Sequence, residues 1–129
     1  MSTHLSPTEL VALVERYFAA VDRMDLEATL ACFEPEASFQ IATFDTLYQG
    51  RDTGIRQMFE RLNNRYSRVW HGQFDHVVQP SGRVASQFRV ENTLLDGSVR
   101  IKNNCNFFSV RADRFVAVQV YMSGDNSLG

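Results

Sequence analysis

Histidine 71 is the side chain in this sequence best suited to moving a proton. An imidazole exchanges its proton near neutral pH, and His71 follows Trp70, the only tryptophan, where a helical pattern gives way to strands. Trp70 offers a broad apolar wall with one N–H donor. An unpartnered histidine can also be a satisfied structural residue, so both roles stay open. We predict both side chains near the mouth of a pocket, with His71 as a candidate catalytic residue.

Three asparagines lie within four positions of one predicted strand. Asparagine is depleted in strands, so Asn103, Asn104 and Asn106 need a physical reason. Strand alternation places Asn104 and Asn106 on one face and Asn103 on the other. A buried amide without a partner costs about 1–3 kcal/mol, so these amides bond to neighbours, to water or to a ligand. We predict Asn104 and Asn106 on a pocket wall, and Asn103 in a contact between sheets or subunits.

The sequence gives no support to metal or cofactor chemistry. Cys32 and Cys105 are far apart, and His4, His71 and His76 show no ligand spacing with them or with one another. We predict two buried thiols in a reducing cytosol, with one disulfide as the alternative, and we expect no metal and no cofactor.

Charge and hydropathy exclude two classes of partner. A net charge of -2 lacks the basic face that a general nucleic-acid binder needs. No apolar run approaches the roughly 20 residues of a membrane helix. Residues 1–5 have neither the basic stretch nor the apolar core of a secretory signal. We therefore expect a cytoplasmic protein without nucleic-acid or membrane partners.

The first half of the chain predicts three helices. Residues 6–9 combine a serine cap, a proline at the first helical position and a glutamate three residues after the cap. Apolar residues then recur at three- and four-residue spacing. Asp25 caps a short second helix, which Pro35 ends because the residue before a proline is pushed out of the helical region. An extended piece covers 37–42, and the third helix begins at about Asp52.

The second half predicts long strands joined by short turns. Turn sequences at 80–82, 96–97 and 112–113 separate segments with period-two patterning, which pair as antiparallel neighbours. Helices first and strands afterwards indicate an α+β class. We predict a single domain over residues 1–129. Its cone-shaped, curved, mostly antiparallel sheet wraps around three N-terminal helices, and its wide end forms an internal apolar pocket.

Four segments carry a likeness to a known fold. Residues 17–27 contain Tyr-Phe-Ala-Ala-Val and then Asp-Leu-Glu, and residues 33–39 read Phe-Glu-Pro-Glu-Ala-Ser-Phe. Residues 48–59 have the pattern Tyr-x-Gly-x-x-x-Gly-Ile-Arg-x-x-Phe, and residues 106–116 match a sheet-closing hairpin. Together they resemble the nuclear transport factor 2-like superfamily, which includes ketosteroid isomerases, SnoaL-like polyketide cyclases and limonene epoxide hydrolases. The resemblance implies the same cone fold over most of the chain.

The resemblance implies hydrogen-bond donors without the usual catalytic carboxylate. Ketosteroid isomerases combine an aspartate base with an oxyanion hole of one tyrosine and one protonated aspartate. Tyr17 matches that tyrosine, and Asn106 stands where the second acid would be and can still donate. The base position falls near Gln40 or Ile41, and neither side chain can accept a proton at neutral pH. A donor pair for a carbonyl or oxyanion remains, with Asp45 or His71 as replacement bases.

Two further chemistries of the superfamily lack their carboxylates here. Arg89 and Glu91 resemble the Arg-x-Asp pair of the epoxide hydrolases, but the second acid would fall at about Val120 and is missing. A solvated strand face is the alternative interpretation of Arg89 and Glu91. Residues 119–123, where cyclases carry their acid, contain no carboxylate.

These observations predict a protein that binds a small, mostly apolar or aromatic ligand. As an enzyme it would be an isomerase, cyclase or hydrolase acting on a carbonyl compound; the alternative is a non-catalytic binding or assembly module. The expected catalytic residues are Tyr17, His71 and Asn106. We expect a homodimer formed through the outer sheet face. The predicted pocket lining comprises Phe39, Trp70, Asn104, Phe108, Val118 and Val120.

Overall fold

Three helices and six strands form the structure, a computed structural model that describes residues 4–129. Residues 1–3, part of the segment in which no secretory signal was expected, lie outside the described residues. The helices are α1 (Pro7–Asp22), α2 (Leu26–Leu30) and α3 (Arg56–Arg65). The strands are β1 (Phe33–Ile41), β2 (Thr46–Gln49), β3 (Tyr66–Gln79), β4 (Arg83–Leu94), β5 (Val99–Arg111) and β6 (Arg114–Met122).

The strands form one curved, unclosed sheet in the order β2-β1-β6-β5-β4-β3. All neighbours are antiparallel except β1 and β6, which pair in parallel. The helices cover one face of this sheet, and the apolar core lies between them. The predicted α+β cone with a mostly antiparallel sheet is therefore confirmed.

Helix α1 begins where the sequence predicts. The Ser6 hydroxyl accepts from the Glu9 backbone N–H at 3.2 Å, and the Ser6 N–H donates to the Glu9 carboxylate at 2.9 Å. This reciprocal capping box satisfies two N–H groups that the first turn leaves without partners. The buried stripe of α1 faces the sheet and contains Leu10, Leu13, Val14, Tyr17, Phe18, Ala20 and Val21.

Two predicted element boundaries in the first half are wrong. Helix α2 ends at Leu30, and Pro35 lies inside β1 rather than at a helix end. The ladder between β1 and β6 is irregular between Phe33 and Ser38, so a proline without an N–H removes no regular bond there. Helix α3 begins at Arg56 because a π-helical turn, Gly50–Ile55, occupies the expected first turn.

The three predicted turns connect β3 to β4, β4 to β5 and β5 to β6. Gly82 and Gly97 have φ angles of 115° and 90°, which only glycine adopts without strain. Strand β3 also contains a bulge between Gly72 and Asp75, where Gln73 has a φ of 55°. The bulge resets the alternation, so that Phe74 and His76 point toward the core and Asp75 points outward. Among residues 4–129, no helix is both long and apolar enough to cross a membrane.

Candidate active site

A small cavity of about 30 Å³ lies between the helices and the concave face of the sheet. This space has room for about two water molecules. Its wall is mostly apolar and aromatic, with a few polar side chains converging on it. The lining residues are Tyr17, Phe18, Val21, Phe39, Phe59, Leu62, His71, Phe88, Val90, Asn92, Asn104, Asn106, Val120, Ser127 and Leu128.

Tyr17 supplies a protonated hydroxyl at the aromatic end of this cavity. Its ring makes edge-on contacts of 5.5–6.2 Å with the rings of Phe33, Phe59, Phe108 and Phe115. Burial raises the pKa of Tyr17 far above its ordinary value, with smaller contributions from nearby acidic groups. The Tyr17 hydroxyl therefore stays protonated at neutral pH and can donate a hydrogen bond.

His71 of the cavity wall forms a dyad with Asp22. The Nδ1 atom of His71 lies 2.6 Å from Asp22 Oδ1, and Asp22 Oδ2 accepts the His71 backbone N–H at 3.1 Å. The side chains are 14% and 24% exposed. Because both carboxylate oxygens are bonded to His71, the ring is fixed with Nδ1 as the donor and Nε2 free to accept a proton.

Helix α1 and strand β3 position this dyad. Asp22 is the last residue of α1, and β3 places His71 opposite it. The rings of Phe18 and Phe88 lie 5.0 and 5.6 Å from the imidazole and hold its plane. A carboxylate at the negative end of a helix is disfavoured by the helix dipole, and the contact with His71 offsets this cost.

Three asparagines bring amide groups to the sheet side of the cavity. The Asn104 Oδ1 atom accepts from the Ser123 backbone N–H at 3.3 Å. Asn92 and Asn106 are 2% and 3% exposed, and neither Oδ1 atom has a hydrogen-bond partner among residues 4–129. A buried acceptor without a donor costs about 1–3 kcal/mol, so these two oxygens mark the cavity as a place for water or a polar ligand group.

Residues 123–129, here called the closing segment, follow β6 and reach the cavity at two positions. Ser127 and Leu128 belong to the cavity wall. The Tyr48 hydroxyl donates to the Leu128 carbonyl at 3.3 Å. Further bonds from Lys102 and Arg65 hold the rest of the segment.

The fold brings six of the nine predicted site residues to the cavity. They are Tyr17, His71 and Asn106, proposed from the sequence as catalytic, and Phe39, Asn104 and Val120, proposed as lining.

Three predicted lining residues lie elsewhere. Phe108 and Val118 are 0% and 1% exposed and belong to the packed core behind the cavity wall. Trp70 is opposite Glu91 on the outer face, where its indole lies over Gly72. The reason is strand alternation: Val69 points inward, so Trp70 points outward and His71 inward.

The remaining chemical candidates fall outside the cavity. Arg89 Nε bonds to Glu91 Oε2 at 3.0 Å on the outer face, which agrees with the solvated-face interpretation. Cys32 and Cys105 are free thiols. Within residues 4–129, no group of three or more His, Cys, Asp or Glu side chains could hold a metal ion.

Sequence reasoning missed Asp22, Asn92 and the closing segment. The sequence does contain a signal for Asp22. A carboxylate in the last turn of a helix is disfavoured by the helix dipole, and because that turn has no basic residue, a stabilising partner is expected from elsewhere in the fold. Asn92 points to the same face of β4 as Phe88 and Val90, so the alternation of that strand could also have predicted its inward position.

Comparison with known proteins gives one family and many similar folds. A family model described as a SnoaL-like domain matches residues 14–118. No curated protein matches the chain. A polyketide cyclase candidate from Xanthomonas campestris has a TM-score of 0.80 at 20% identity, covering 88% of this chain and 90% of its own.

Two other solved structures were determined with small molecules. A protein of ketosteroid isomerase-like fold from Catenulispora acidiphila, in complex with trimethylamine, has a TM-score of 0.77 at 13% identity, covering 91% and 86% of the two chains. TerC, co-crystallised with polyporic acid, has a TM-score of 0.75 at 14% identity, covering 87% and 89%. These identities establish the fold alone. The chain belongs to the SnoaL-like domain family of the nuclear transport factor 2-like superfamily.

Proposed function

We propose that this protein binds a small, mostly apolar carbonyl compound in the cavity and moves a proton on it, as an isomerase, cyclase or hydrolase of this fold would. The observation that carries the proposal is that His71, held by Asp22, lines the same cavity as Tyr17 and Asn106. The dyad supplies the base for which the family's usual carboxylate positions have no residue.

The proposed step is abstraction of a proton from the carbon next to a carbonyl. The Nε2 lone pair of His71 takes the proton, and the C–H electron pair moves to the carbonyl oxygen to form an enolate. The Tyr17 hydroxyl stabilises that oxygen as charge develops, and Asn106 adds a second donor when its amide turns the N–H instead of Oδ1 toward the ligand. Asp22 stabilises the imidazolium, which then returns the proton to the substrate.

Deuterium exchange tests this step without knowledge of the natural substrate. Cyclic ketones and enones are incubated with the protein in D₂O, and loss of the proton adjacent to the carbonyl is followed by NMR. His71→Asn should abolish the catalysed exchange, and Tyr17→Phe should slow it. His76→Asn is the matched control, because His76 bonds to Glu15 and Ser86 and is not on the cavity wall. Exchange that survives His71→Asn at the wild-type rate would refute the proposed base.

A non-catalytic binding module is the second candidate. The observation that favours it is that Gln40 and Val120 stand where enzymes of this fold carry catalytic acids, so the family's usual carboxylates are missing. Ligand-induced shifts of the cavity resonances without any deuterium exchange would support this candidate over the enzyme.

We further propose that two copies, each a single domain, associate through the outer sheet face. This face exposes Val77, Ile101 and Tyr121, which are 67%, 55% and 48% exposed, and Tyr121 lines a surface groove of about 520 Å³ there. Large exposed apolar side chains on one sheet face are typical of association surfaces. Ile101→Glu should convert a dimer to a monomer in light scattering. Leu95→Glu, at an exposed leucine in the turn between β4 and β5, should leave the mass unchanged.

A further inference from the structure

Lys102 is a buried cation whose acceptors all lie in the closing segment. It is the only lysine of the chain, its side chain is 2% exposed, and it projects from the concave face of β5 opposite Val90 of the cavity wall. Its Nζ donates to the Ser123 carbonyl at 2.7 Å and to the Asp125 carbonyl, and lies 3.0 Å from Asp125 Oδ1. A buried ammonium is tolerated only with such partners.

Arg65 of helix α3 holds the same segment at its following residues. From the last turn of α3, it donates to the Ser127 carbonyl at 3.1 Å, to the Asn126 carbonyl at 3.4 Å and to the Gly129 carbonyl. In the part of the chain that the structure describes, the ammonium of Lys102 and the guanidinium of Arg65 find hydrogen-bond acceptors only in the closing segment. Two cations, one from β5 and one from α3, therefore bind neighbouring residues of one short segment.

The closing segment combines the two kinds of group that an amphipathic acid has, an apolar side chain and negatively polarised or charged oxygens. Leu128 contributes an apolar side chain to the cavity wall, while Asp125 and the backbone carbonyls face the two cations. The Lys102 ammonium holds the pKa of Asp125 below its ordinary value, so the carboxylate is ionised at neutral pH. Any ligand of more than a few atoms must displace Ser127 and Leu128, because the remaining space is about 30 Å³.

We propose that the ligand of this cavity is an organic acid or a stable enolate, with its apolar body in the cavity and its anionic oxygens on Lys102 and Arg65 in place of the closing segment. Displacement of Ser127 and Leu128 removes an acceptor of Arg65, and displacement of the whole segment, Ser123 and Asp125 included, also strips Lys102 of its acceptors. A neutral ligand would leave the buried ammonium without a counter-charge, whereas an anion restores it. The inference rests on the proposed function and adds a substrate class to it.

The test compares two probes of the same shape, 2-naphthoate and 2-naphthamide. Binding to the full chain is measured by titration calorimetry at pH 7, and cavity occupancy is followed by NMR. We expect 2-naphthoate to bind at least tenfold more tightly than the amide, with an advantage that shrinks as salt is raised. Lys102→Met should reduce this ratio to near one.

Asp125→Asn supplies a second variant that does not alter a buried group. It weakens the internal competitor, so it should raise the affinity for 2-naphthoate several-fold and leave the amide less affected. Asp113→Asn, at an exposed acid in the turn between β5 and β6, is the control for a change of net charge.

The outcomes separate this inference from the proposed function. Equal binding of acid and amide in the cavity, or no response to Asp125→Asn beyond that of Asp113→Asn, overturns the acid proposal and leaves the proton-transfer proposal standing. If neither probe binds and no ketone exchanges its protons, both proposals fail. Tight binding of the acid without catalysed exchange supports the inference and contradicts the enzyme.

Discussion

Replacing Asp22 by asparagine perturbs the dyad with almost no change of volume. In the native structure, one carboxylate oxygen bonds to the His71 ring and the other to its backbone N–H. Asparagine keeps only one acceptor oxygen, so one of these two donors loses its partner. If the amide nitrogen faces the ring, the imidazole must carry its proton on Nε2, and the atom proposed as the base is blocked.

The burial of the His71–Asp22 pair sets the expected loss of stability. Both side chains are less than one third exposed, so the bond belongs with hydrogen bonds to a charged group, worth about 1.5–3 kcal/mol. For a chain of this length we expect Tm to fall by about 5–15 °C. Loss of a correctly held base should slow the catalysed exchange by about 10²–10⁴-fold.

Thermal unfolding followed by circular dichroism, together with ¹⁵N shifts of the His71 ring, measures both consequences. Glu15→Gln is the matched control, because Glu15 also bonds a histidine of β3 from α1, at 3.0 Å, but is 52% exposed. An exposed pair of this kind contributes well under 1 kcal/mol. If Asp22→Asn changes Tm no more than Glu15→Gln and the His71 ring keeps its tautomer, then the dyad does not hold His71 as described.

Three further predictions concern other parts of the molecule. Gly72→Ala would place a Cβ atom 2.3 Å from the Trp70 indole. We therefore expect the free energy of unfolding, measured with denaturant, to fall by about 1–3 kcal/mol and the tryptophan emission to shift; unchanged emission would contradict the packing of Trp70 over Gly72. Burial raises the pKa of both thiols, but the Cys32 side chain is buried, at 3% exposed, whereas Cys105 lies at the outer face. A disulfide reagent at pH 8 should therefore modify Cys105 before Cys32, and the reverse order would contradict the burial of Cys32. The pKa of Asp125 is lowered in the folded state, so its ion pair with Lys102 stabilises the fold above the ordinary value of 3.8, and this contribution is lost as the pH falls through the lowered value. The loss of unfolding free energy caused by Asp125→Asn at pH 6 should therefore vanish toward pH 2; a loss that persists at pH 2 has another origin.

Local signals were enough to predict most of the secondary structure. The capping box at residues 6–9 and the turns at 80–82, 96–97 and 112–113 depend on residues that are neighbours in sequence. Pro35 misled the prediction, because the irregular pairing that tolerates a proline in β1 is set by β6, about eighty residues later. Propensity cannot anticipate a partner that distant.

The candidate site was predicted in part for the same reason. Alternation correctly placed Asn104 and Asn106 on the concave face, but the direction of Trp70 depended on which residue of β3 points inward. Asp22 lies on the polar side of α1 by helical period, and only the docking of α1 on β3 makes it the partner of His71. The closing segment has no periodic pattern, so its position could not be read from sequence.

The parallel pairing of β1 with β6 also determines when the sheet can be completed. Gln40 on β1 lies beside Gln119 on β6, 79 positions later, while every other strand pair is joined by an antiparallel turn or a short connection. The small β1–β2 ladder therefore has no neighbour on its inner side until β6 has formed, and closing so long a loop is entropically costly. We expect refolding to proceed by early formation of the β3–β6 meander, with docking of β1 as the slow and final step.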